Sequence, residues 1–439
     1  MTSDRRVPVA IIGGGFSGTI LAAQLARRGI GSLLIDGSGR MGRGVAYSTS
    51  EPAHLLNVRA EGMSAWSGEL DHFAKRFEGE GGDKRGFAQR RQFGQYVGDI
   101  LDEAVLSGKT ELLHQSAVRA SRNGDGWRVE LDSGETVEAD ALALAVGNQE
   151  PEPLSAFGSA GTRFIRNPWG ADARAAVSEL VETGGTALLV GTGLTMVDLV
   201  LSLEAAGHRG KIIALSRRGL IPRSHADFDP APIEREALPE GDLLGQWRWL
   251  RRRSGEVGWR AAIDSLRPHT QALWQGLDGE TQRRFLRHAR PWWDVHRHRI
   301  APEVGRMLAQ LIGEGQLEIV AGRIISAHDT GDALEVSYRR RAASQPTMAE
   351  VAFAFNCTGP LHSIARTRDP LLRSLFDSGQ IRPDHLGIGL DVDDHSRAAE
   401  RAWALGPLTK GRYWEIIAVP DIREQAAAIA EDIARELSE

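Results

Sequence analysis

The N-terminal part of the chain combines apolar runs with a helical pattern. Val7–Ile12 is a largely apolar run, Ile20, Leu21 and Leu25 recur at helical spacing, and a second apolar run ends at Asp36. Short apolar runs predict buried strands, and the spacing between them predicts a helix. We therefore expect a βαβ unit.

Glycines fill the turn between the first strand and this helix. Gly13, Gly15 and Gly18 have the spacing GxGxxG. In such a turn the first glycine allows the bend, the second lets the backbone approach a diphosphate, and the third lets the helix pack on the strand. Asp36 lies about 20 residues further on, where a carboxylate binds an adenosine ribose. We interpret the turn as a dinucleotide site; the alternative is a glycine-rich turn without a ligand.

A second unit with the same pattern follows. Ala187–Val190 leads into Gly191 and Gly193, and the strand after the next helix is Lys211–Leu215. Met196 occupies the position of the third glycine. This departure predicts looser packing of the helix on the strand, although a second dinucleotide site is still expected.

The second strand of this unit ends without an acidic residue. Ser216 is followed by Arg217 and Arg218. Arginine at this position accommodates the 2′-phosphate of NADP, so the pair favours NADP over NAD. The alternative is that both arginines lie in solvent at a strand end.

Two later segments share another pattern. Leu112–Gly147 and Gln316–Gly359 each contain short alternating strands and close in a buried apolar strand that ends in glycine. Asn123-Gly124 and Ser133-Gly134 mark turns in the first segment. Each segment is predicted to be a strand meander that returns to a main sheet. A βαβ unit with a meander, present twice, implies two related nucleotide-binding domains whose dinucleotides face one another.

The region between the second βαβ unit and its meander has a different character. Ala231–Gly315 shows helical apolar spacing and holds six of the eleven tryptophans of the chain. Gln246–Arg306 contains thirteen arginines, no lysine and six acidic residues, a charge of +7 in a chain of −5. We interpret the region as a helical insertion that forms a lid or a homodimer contact. The alternative is an ordinary helical layer with tryptophans in its core and arginines in solvent.

Size and composition exclude several classes of protein. The chain has 439 residues and 47.8 kDa, with 41% hydrophobic and 25% charged residues, which fits two to three globular domains. Its net charge of −5 argues against a nucleic-acid partner. No apolar run reaches the roughly 20 residues of a membrane span. The lone cysteine, Cys357, excludes an internal disulfide, and the apolar start runs into glycines without a cleavage site, so we expect a cytoplasmic protein.

The segment WWDVHRHR contains possible metal ligands. Asp294, His296 and His298 are close in sequence, but residues two apart on a helix do not face each other. No metal is therefore expected. Arg297 and Arg299 are candidates for binding an anionic substrate or a coenzyme phosphate, and the alternative is surface ion pairing.

Several longer motifs carry a resemblance to a known family. The chain resembles the flavoproteins with two dinucleotide-binding domains, which include flavin-containing monooxygenases and amino-acid N-hydroxylases, and more closely a bacterial family of FAD/NAD(P)-binding proteins. The motifs are GGGFSG from Gly13, GRGVAYSTSEPAHLLNVRAEGMSA from Gly42, GTGLTMVD from Gly191, SRRGLIPRSH from Ser216, CTGP from Cys357 and GPLTKGRYWEIIAVPDIREQA near the C-terminus. The resemblance implies FAD in the first site and NADPH in the second.

The fold class follows from the repeat and the resemblance. We predict an α/β fold with two Rossmann-like dinucleotide-binding domains, β-meanders and a helical insertion. Residues 1–160 and 356–439 are expected to form the FAD-binding domain. Residues 161–355 are expected to form the NAD(P)H-binding domain, with the insertion at about 231–315.

The resemblance also implies which residues contact the cofactors. Gly44–Tyr47 and His54–Ser64 would form a loop under the flavin, whereas the residues alone favour a surface loop with HLLNV as a short strand. Thr358 and Gly359 would return the chain to the adenosine–diphosphate end of FAD. The expected contacts are Gly13, Gly15, Phe16, Ser17, Gly18, Asp36, Tyr47, Asn57, Met63, Ser64, Thr358, Gly359 and Ile422 for FAD, and Gly191, Gly193, Leu194, Thr195, Arg217 and Arg218 for NADPH.

The C-terminal helix has a predicted start. Asp421 and Glu424 give a D-x-x-E capping pattern with Pro420 just outside the helix. By the resemblance, this helix N-terminus would stabilise reduced flavin. Gly406 precedes Pro407 without the acidic residue that holds the ribityl chain in the wider superfamily, so that contact has no assigned residue.

The resulting functional expectation is an NADPH-dependent monooxygenase that hydroxylates a small molecule with molecular oxygen, through a C4a-hydroperoxyflavin. The cofactor carries this chemistry, so no catalytic side chain is assigned. The longer fingerprint FxGxxxHxxxW is missing, because Phe157-Gly158 is followed by no histidine at the required place. A flavin-dependent reductase or dehydrogenase and a non-catalytic FAD-binding sensor are the alternatives.

Overall fold

The computed structural model describes residues 5–239 and 242–438. Its strands are β1 (Arg5–Ile12), β2 (Ser32–Ile35), β3 (Thr110–Leu113), β4 (Ala117–Asn123), β5 (Gly126–Leu131), β6 (Thr136–Leu144), β7 (Phe164–Ile165), β8 (Ala187–Val190), β9 (Ile212–Ser216), β10 (Leu317–Asp329), β11 (Leu334–Arg340), β12 (Thr347–Val351), β13 (Phe353–Asn356), β14 (Arg397–Ala399) and β15 (Ala402–Ala404). Its helices are α1 (Phe16–Arg27), α2 (Gly44–Tyr47), α3 (His72–Gly79), α4 (Arg90–Leu106), α5 (Ala171–Thr183), α6 (Leu194–Ala205), α7 (Leu243–Val257), α8 (Trp259–Leu266), α9 (Thr270–Gln275), α10 (Gly279–Arg284), α11 (Arg290–Arg297), α12 (Pro302–Gly313), α13 (Pro370–Asp377) and α14 (Val419–Glu436).

The first sheet is built around the predicted βαβ unit. Its order is β14-β15-β6-β1-β2-β3, and the strands from β15 to β3 are parallel. Ile12 of β1 lies opposite both Ile35 of β2 and Leu144 of β6. Because both faces of this sheet are covered, its central strands are almost wholly apolar, as parallel strands require.

The first meander joins this sheet through one long strand. On one side, the first half of β6 pairs antiparallel with β5, which pairs with β4, and its second half pairs with β15. On the other side, β1 pairs along nearly the whole length of β6. Gly124 and Gly134 have φ of 57° and 85° in the two turns, where glycine tolerates the left-handed backbone. The predicted meander and its turns are confirmed.

The second sheet repeats this construction. Its order is β12-β11-β10-β9-β8-β13-β7. The first part of β10 runs parallel to β9, and its second part pairs antiparallel with β11, with a register shift between Ile324 and Ser326. β13 returns to the sheet parallel to β8. The predicted α/β fold with two related nucleotide-binding units is confirmed.

Each sheet has two hydrophobic layers. Helices α1, α4 and α14 cover one face of the first sheet, and the meander with α13 covers the other. Helices α5, α6 and α12 cover one face of the second sheet, and its own meander covers the other. Within the described ranges, every helix is too short or too polar to cross a bilayer.

The helical insertion is shorter than the sequence suggests. Helices α7, α8 and α11 share a small core around Leu250, Ile263 and Trp293, and α9 packs against it through Leu273. Helix α12 places Val304 and Leu308 in the core of the second sheet instead. The helical period alone could not separate the two, because both kinds of helix bury one apolar face.

The predicted capping box of the C-terminal helix was wrong. α14 begins at Val419, with Ala418 as its N-cap, so Pro420 lies inside the first turn. Proline is tolerated there because the first amides of a helix have no acceptor within it. Asp421 is therefore already within the helix, and among the described residues no side chain caps this end.

Candidate functional site: two glycine loops and a basic pocket

Two glycines of the first loop are required by the protein itself. Gly13 has φ of 105°, and a Cβ there would lie 2.5 Å from the carbonyl oxygen of Ala145. A Cβ at Gly18 would overlap the carbonyl oxygen of Gly13, where α1 crosses β1. These two glycines let the strand, the turn and the helix pack together.

At the middle position of each loop, no close contact among the described residues requires glycine. A Cβ at Gly15 would meet only the Cα of Gly44, at 3.6 Å, and a Cβ at Gly193 would meet nothing within 4 Å. Gly15 and Gly44 face each other without side chains, beside the N-terminus of α1. A helix N-terminus bordered by bare backbone suits a diphosphate, so the residues present fit a dinucleotide.

Asp36 is held in place at the carboxyl end of β2. Its Oδ2 accepts the amide hydrogen of Gly14 at 2.7 Å, and its Oδ1 accepts that of Ser38, also at 2.7 Å. A carboxylate has about four acceptor positions, so both oxygens retain capacity for ribose hydroxyls. The fixed position beside the first loop fits the predicted role of Asp36.

The second loop makes the same backbone hydrogen bond to its neighbouring strand as the first loop does. The Gly13 amide donates to Ile35 and the Gly191 amide donates to Leu215, at 2.9 and 2.8 Å. Ser216 therefore stands where Asp36 stands in the first unit. Its Oγ bonds to the Thr192 hydroxyl at 2.8 Å, so a neutral group replaces the carboxylate.

Basic side chains surround the position after β9. Arg217 and Arg218 line a pocket of about 400 Å³. The other residues that line it are Arg287, His288, Arg323 and Arg341. The sequence motif identified only the first two, because the others come from the insertion and from the second meander, far away in the chain.

Two helix N-termini and a strand end meet at the expected flavin end. A Cβ at Gly406, just after β15, would lie 2.8 Å from the Ser17 hydroxyl of α1 and 3.8 Å from the Ile422 side chain of α14. Phe16 is buried and packs edge-on against Tyr47, with ring centroids 6.3 Å apart. Burial raises the pKa of Tyr47 to about 12. The structure thus brings Ser17 and Ile422 together, places Phe16 in the core and packs the partly buried Tyr47 against that core.

The loop expected under the flavin divides into two parts. The Asn57 carbonyl accepts a hydrogen bond from His225 Nε2 at 3.0 Å, which ties the loop to the second unit. Burial, helped by nearby arginines, lowers the pKa of His225 to about 4. Met63 and Ser64 are buried, and the Ser64 hydroxyl already donates to the Glu69 carbonyl at 2.6 Å. These last two residues are not open to a ligand in this arrangement. In the HLLNV segment, Leu55 makes only an isolated bridge.

Thr358 and Gly359 lie beside the second loop, not the first. They follow β13, and the carbonyl of the preceding Cys357 would overlap a Cβ at Gly191. The strand that returns to the first loop is β6, through Ala145. Sequence similarity between the two closing strands could not show to which sheet each one belongs. Leu194 and Thr195 are the first residues of α6.

A buried ion pair joins the two units. Both guanidinium nitrogens of Arg90 donate to the carboxylate of Asp198, at 2.9 and 2.7 Å, and both side chains are largely buried. His54 Nε2 donates to the Asp198 carbonyl at 2.9 Å. These contacts hold the first unit against α6 of the second.

The insertion lies on the segment between β15 and α14. Trp274 stacks on Trp414 with ring centroids 4.9 Å apart, and Trp293 Nε1 donates to Glu415 at 2.7 Å. Arg297 pairs with the same carboxylate at 2.7 Å. Burial by itself would raise the pKa of Glu415, but the Arg297 charge and its neighbours outweigh burial and hold that pKa below its usual range.

The two arginines of the WWDVHRHR segment form ion pairs with carboxylates of the protein. Arg299 is 2% exposed and pairs with Asp264 inside the insertion, while Arg297 pairs with Glu415. The alternative of surface ion pairing was wrong, because both pairs involve buried guanidinium groups. Trp292 is 41% exposed and packs less closely than its neighbour Trp293.

Lys410 and Asn148 form a polar contact that sequence patterns do not reveal. Lys410 Nζ donates to Asn148 Oδ1 at 3.2 Å, linking the segment after β15 to the end of β6. Burial, with the Arg290 charge nearby, lowers the pKa of Lys410 to about 8. Asn148 also lines a cleft of about 570 Å³, whose other lining residues come from the segments after β6 and after β13. A cleft of this size fits a small molecule.

Comparisons with known proteins agree with this geometry. Residues 10–149 match a family model described as FAD-NAD(P)-binding. A search of curated proteins gives no match. The first unit is therefore an FAD/NAD(P)-binding domain.

Solved structures share the whole fold at low sequence identity. Ornithine hydroxylase from Pseudomonas aeruginosa has a TM-score of 0.67 at 14% identity, over 98% of this chain and 99% of that one. Ornithine N-hydroxylase from Kutzneria sp. 744, with reduced FAD, NADP+ and L-ornithine, has 0.66 at 15% over 100% of both chains. Thioredoxin reductase from T. acidophilum has 0.57 at 12%, over 99% of this chain and 100% of that one. The expected relation to flavoproteins with two dinucleotide-binding domains is confirmed at the level of the fold.

Proposed function

We propose that this protein is an NADPH-dependent, FAD-containing monooxygenase that acts on a small molecule. The assignment of NADPH as the coenzyme rests on the residues that follow β9. Ser216 replaces the ribose-binding carboxylate of the first loop, and Arg217 and Arg218 line a basic pocket next to it. This combination suits a ribose that carries a 2′-phosphate, because guanidinium groups form strong charge-assisted bonds to phosphate.

The first unit has the parts that would hold FAD. The gap between Gly15 and Gly44 would take the diphosphate, and Asp36 would bind the ribose. Ser17, Gly406 and Ile422 would border the isoalloxazine end. Bound FAD would supply hydride acceptance from the coenzyme and the activation of oxygen.

The absence of a thiol pair separates this chain from the disulfide reductases that share its fold. Cys357 is the only cysteine, it is buried, and burial raises its pKa. A buried thiol with a raised pKa is a poor nucleophile. Solved hydroxylases also have higher TM-scores to this chain than the thioredoxin reductase, at 0.67 and 0.66 against 0.57. Both observations favour oxygen chemistry.

The insertion and Lys410 would serve the reaction in different ways. Trp274 of the insertion stacks on Trp414 of the segment between β15 and α14, and the paired rings would exclude water there. Lys410 Nζ, with a pKa of about 8, exists in both protonation states near neutral pH, so it can hold or release a proton beside the cleft of Asn148.

A flavin-dependent reductase or dehydrogenase is the second candidate. The missing FxGxxxHxxxW fingerprint after Phe157 favours it, since that fingerprint accompanies oxygen transfer in the resembling monooxygenases. The two candidates differ in where the electrons of NADPH go.

The test is turnover by the purified, flavin-loaded protein with a panel of amines and electron-rich heterocycles. We expect NADPH oxidation to rise with one class of compound and to match hydroxylated product, while peroxide release falls. Cys357→Ser should leave these rates unchanged. Oxidation that yields only peroxide with every compound, or a reduced organic product without oxygen uptake, would favour the reductase.

A further inference from the structure

The basic pocket is assembled from four separate parts of the chain. Arg217 and Arg218 follow β9, and Arg323 lies on β10. Arg341 follows β11, and Arg287 comes from the insertion with its neighbour His288. The insertion therefore contributes directly to a pocket of the second unit, through residues other than Trp293 and Arg297, which contact Glu415.

Arg287, which reaches the basic pocket, lies in a turn where the helix type changes. Phe285–Ala289 forms a π-helical turn between α10 and α11. Pro291 has no amide hydrogen, so the Arg287 carbonyl lacks its α-helical donor. Arg218 Nη2 donates a long hydrogen bond to this carbonyl, at 3.5 Å. Turns of this kind often mark functional sites, and here the turn meets the coenzyme unit.

The charges of the pocket are not neutralised by carboxylates in the part of the chain that the structure describes. Five arginines line it, and none of them forms an ion pair with a carboxylate among residues 5–239 and 242–438. Most other arginines near the site do, such as Arg90 with Asp198 and Arg297 with Glu415. Like charges this close repel one another unless an anion lies between them. The pocket is therefore arranged for a multiply charged ligand.

We propose that Arg287, Arg323 and Arg341 complete a 2′-phosphate site that the second unit shares with the insertion, so that coenzyme binding fastens the insertion in place. This rests on the proposed use of NADPH. A phosphate monoester carries about −1.5 to −2 charges and three acceptor oxygens, so it can bind guanidinium groups from both parts at once. Another residue of the insertion, Trp293, donates a hydrogen bond to Glu415, which lies four residues before the start of α14. Coenzyme binding would thus also order the segment next to the flavin end.

The direct test is calorimetric binding of adenosine 2′,5′-bisphosphate and of AMP to the flavin-loaded protein, since these ligands differ only in the 2′-phosphate. The wild-type protein should prefer the bisphosphate. Arg287→Ala should weaken bisphosphate binding by about tenfold, the loss expected for one charge-assisted contact, and leave AMP binding within about twofold. Arg284→Ala is the matched control, because Arg284 is an exposed arginine of the adjacent helix that does not line the pocket.

Limited trypsin digestion gives a second readout that does not depend on activity. The bisphosphate should slow cleavage within Gln246–Arg253 of the insertion in the wild-type protein and in Arg284→Ala, but not in Arg287→Ala. If the wild-type protein does not distinguish the bisphosphate from AMP, both the NADPH assignment and the shared site fail. If it does distinguish them and Arg287→Ala behaves like Arg284→Ala in both measurements, the shared site alone is overturned.

Discussion

The two glycine loops of this protein have the same backbone and different surroundings. Gly13 and Gly191 both adopt positive φ, and each lies against the carbonyl of the residue just after the strand that closes its meander, Ala145 or Cys357. The backbone geometry thus serves the part that two dinucleotides have in common, the diphosphate. The difference lies at the end of the next strand, where Asp36 faces one loop and Ser216 the other.

The two loops also differ at the third glycine position of the GxGxxG pattern. Gly18 lets α1 press against the Gly13 carbonyl, whereas Met196 is fully buried in the core of the second unit. A methionine at this crossing requires more room between α6 and β8. The first loop therefore depends on glycine for its fold, and the second does not at this position.

The largest expected effect comes from replacing Gly18, the glycine on which the fold of the first loop depends. Gly18→Ala places a Cβ on the Gly13 carbonyl oxygen, so we expect a loss of at least about 4 kcal/mol of unfolding free energy, or an insoluble protein. Gly98→Ala is the control, because Gly98 lies within α4 and a Cβ there would meet nothing within 4 Å. Thermal melting should show a stability near or above wild type for the control. Equal melting of both variants would contradict the structural role of Gly18.

The middle glycines should separate the two ligands without unfolding the protein. Gly15 has φ of −74° and Gly193 has φ of −86°, which valine also adopts. Gly15→Val should remove bound flavin, and Gly193→Val should keep flavin but lose its reduction by NADPH. Flavin absorbance and anaerobic reduction measure the two effects. If both variants lose both properties, the loops do not serve different ligands.

The smallest expected effect tests the residue that differs between the loops. Ser216→Asp gives the second loop the carboxylate of the first, so it should weaken NADPH binding by roughly tenfold to a hundredfold through repulsion of the 2′-phosphate. Binding of NADH should change much less. Ser216→Ala removes the hydroxyl without adding charge and should affect both coenzymes equally. A fall in NADH affinity as large as that in NADPH affinity would show that Ser216 does not face the ribose.

Local sequence patterns were sufficient to predict the elements that occur in both units. Both βαβ units, both meanders and the turns at Gly124 and Gly134 follow from strand periodicity and from glycines, which act over a few neighbouring residues. The start of α14 was misplaced for a local reason, because Pro420 is as acceptable inside the first turn as before it. The expected FAD and coenzyme loops also follow from short motifs that contain their own strand, turn and helix.

What the sequence determined by itself was therefore the repeated framework and the two glycine loops, since each is specified by residues close together in the chain. Only the tertiary structure decided that Thr358 belongs to the second loop, that Lys410 meets Asn148, and that Arg287 joins Arg217 in one pocket. These groups come together because distant segments pack on the carboxyl ends of the two sheets. No periodicity records such packing, because it is set by how the layers bury their apolar faces against one another.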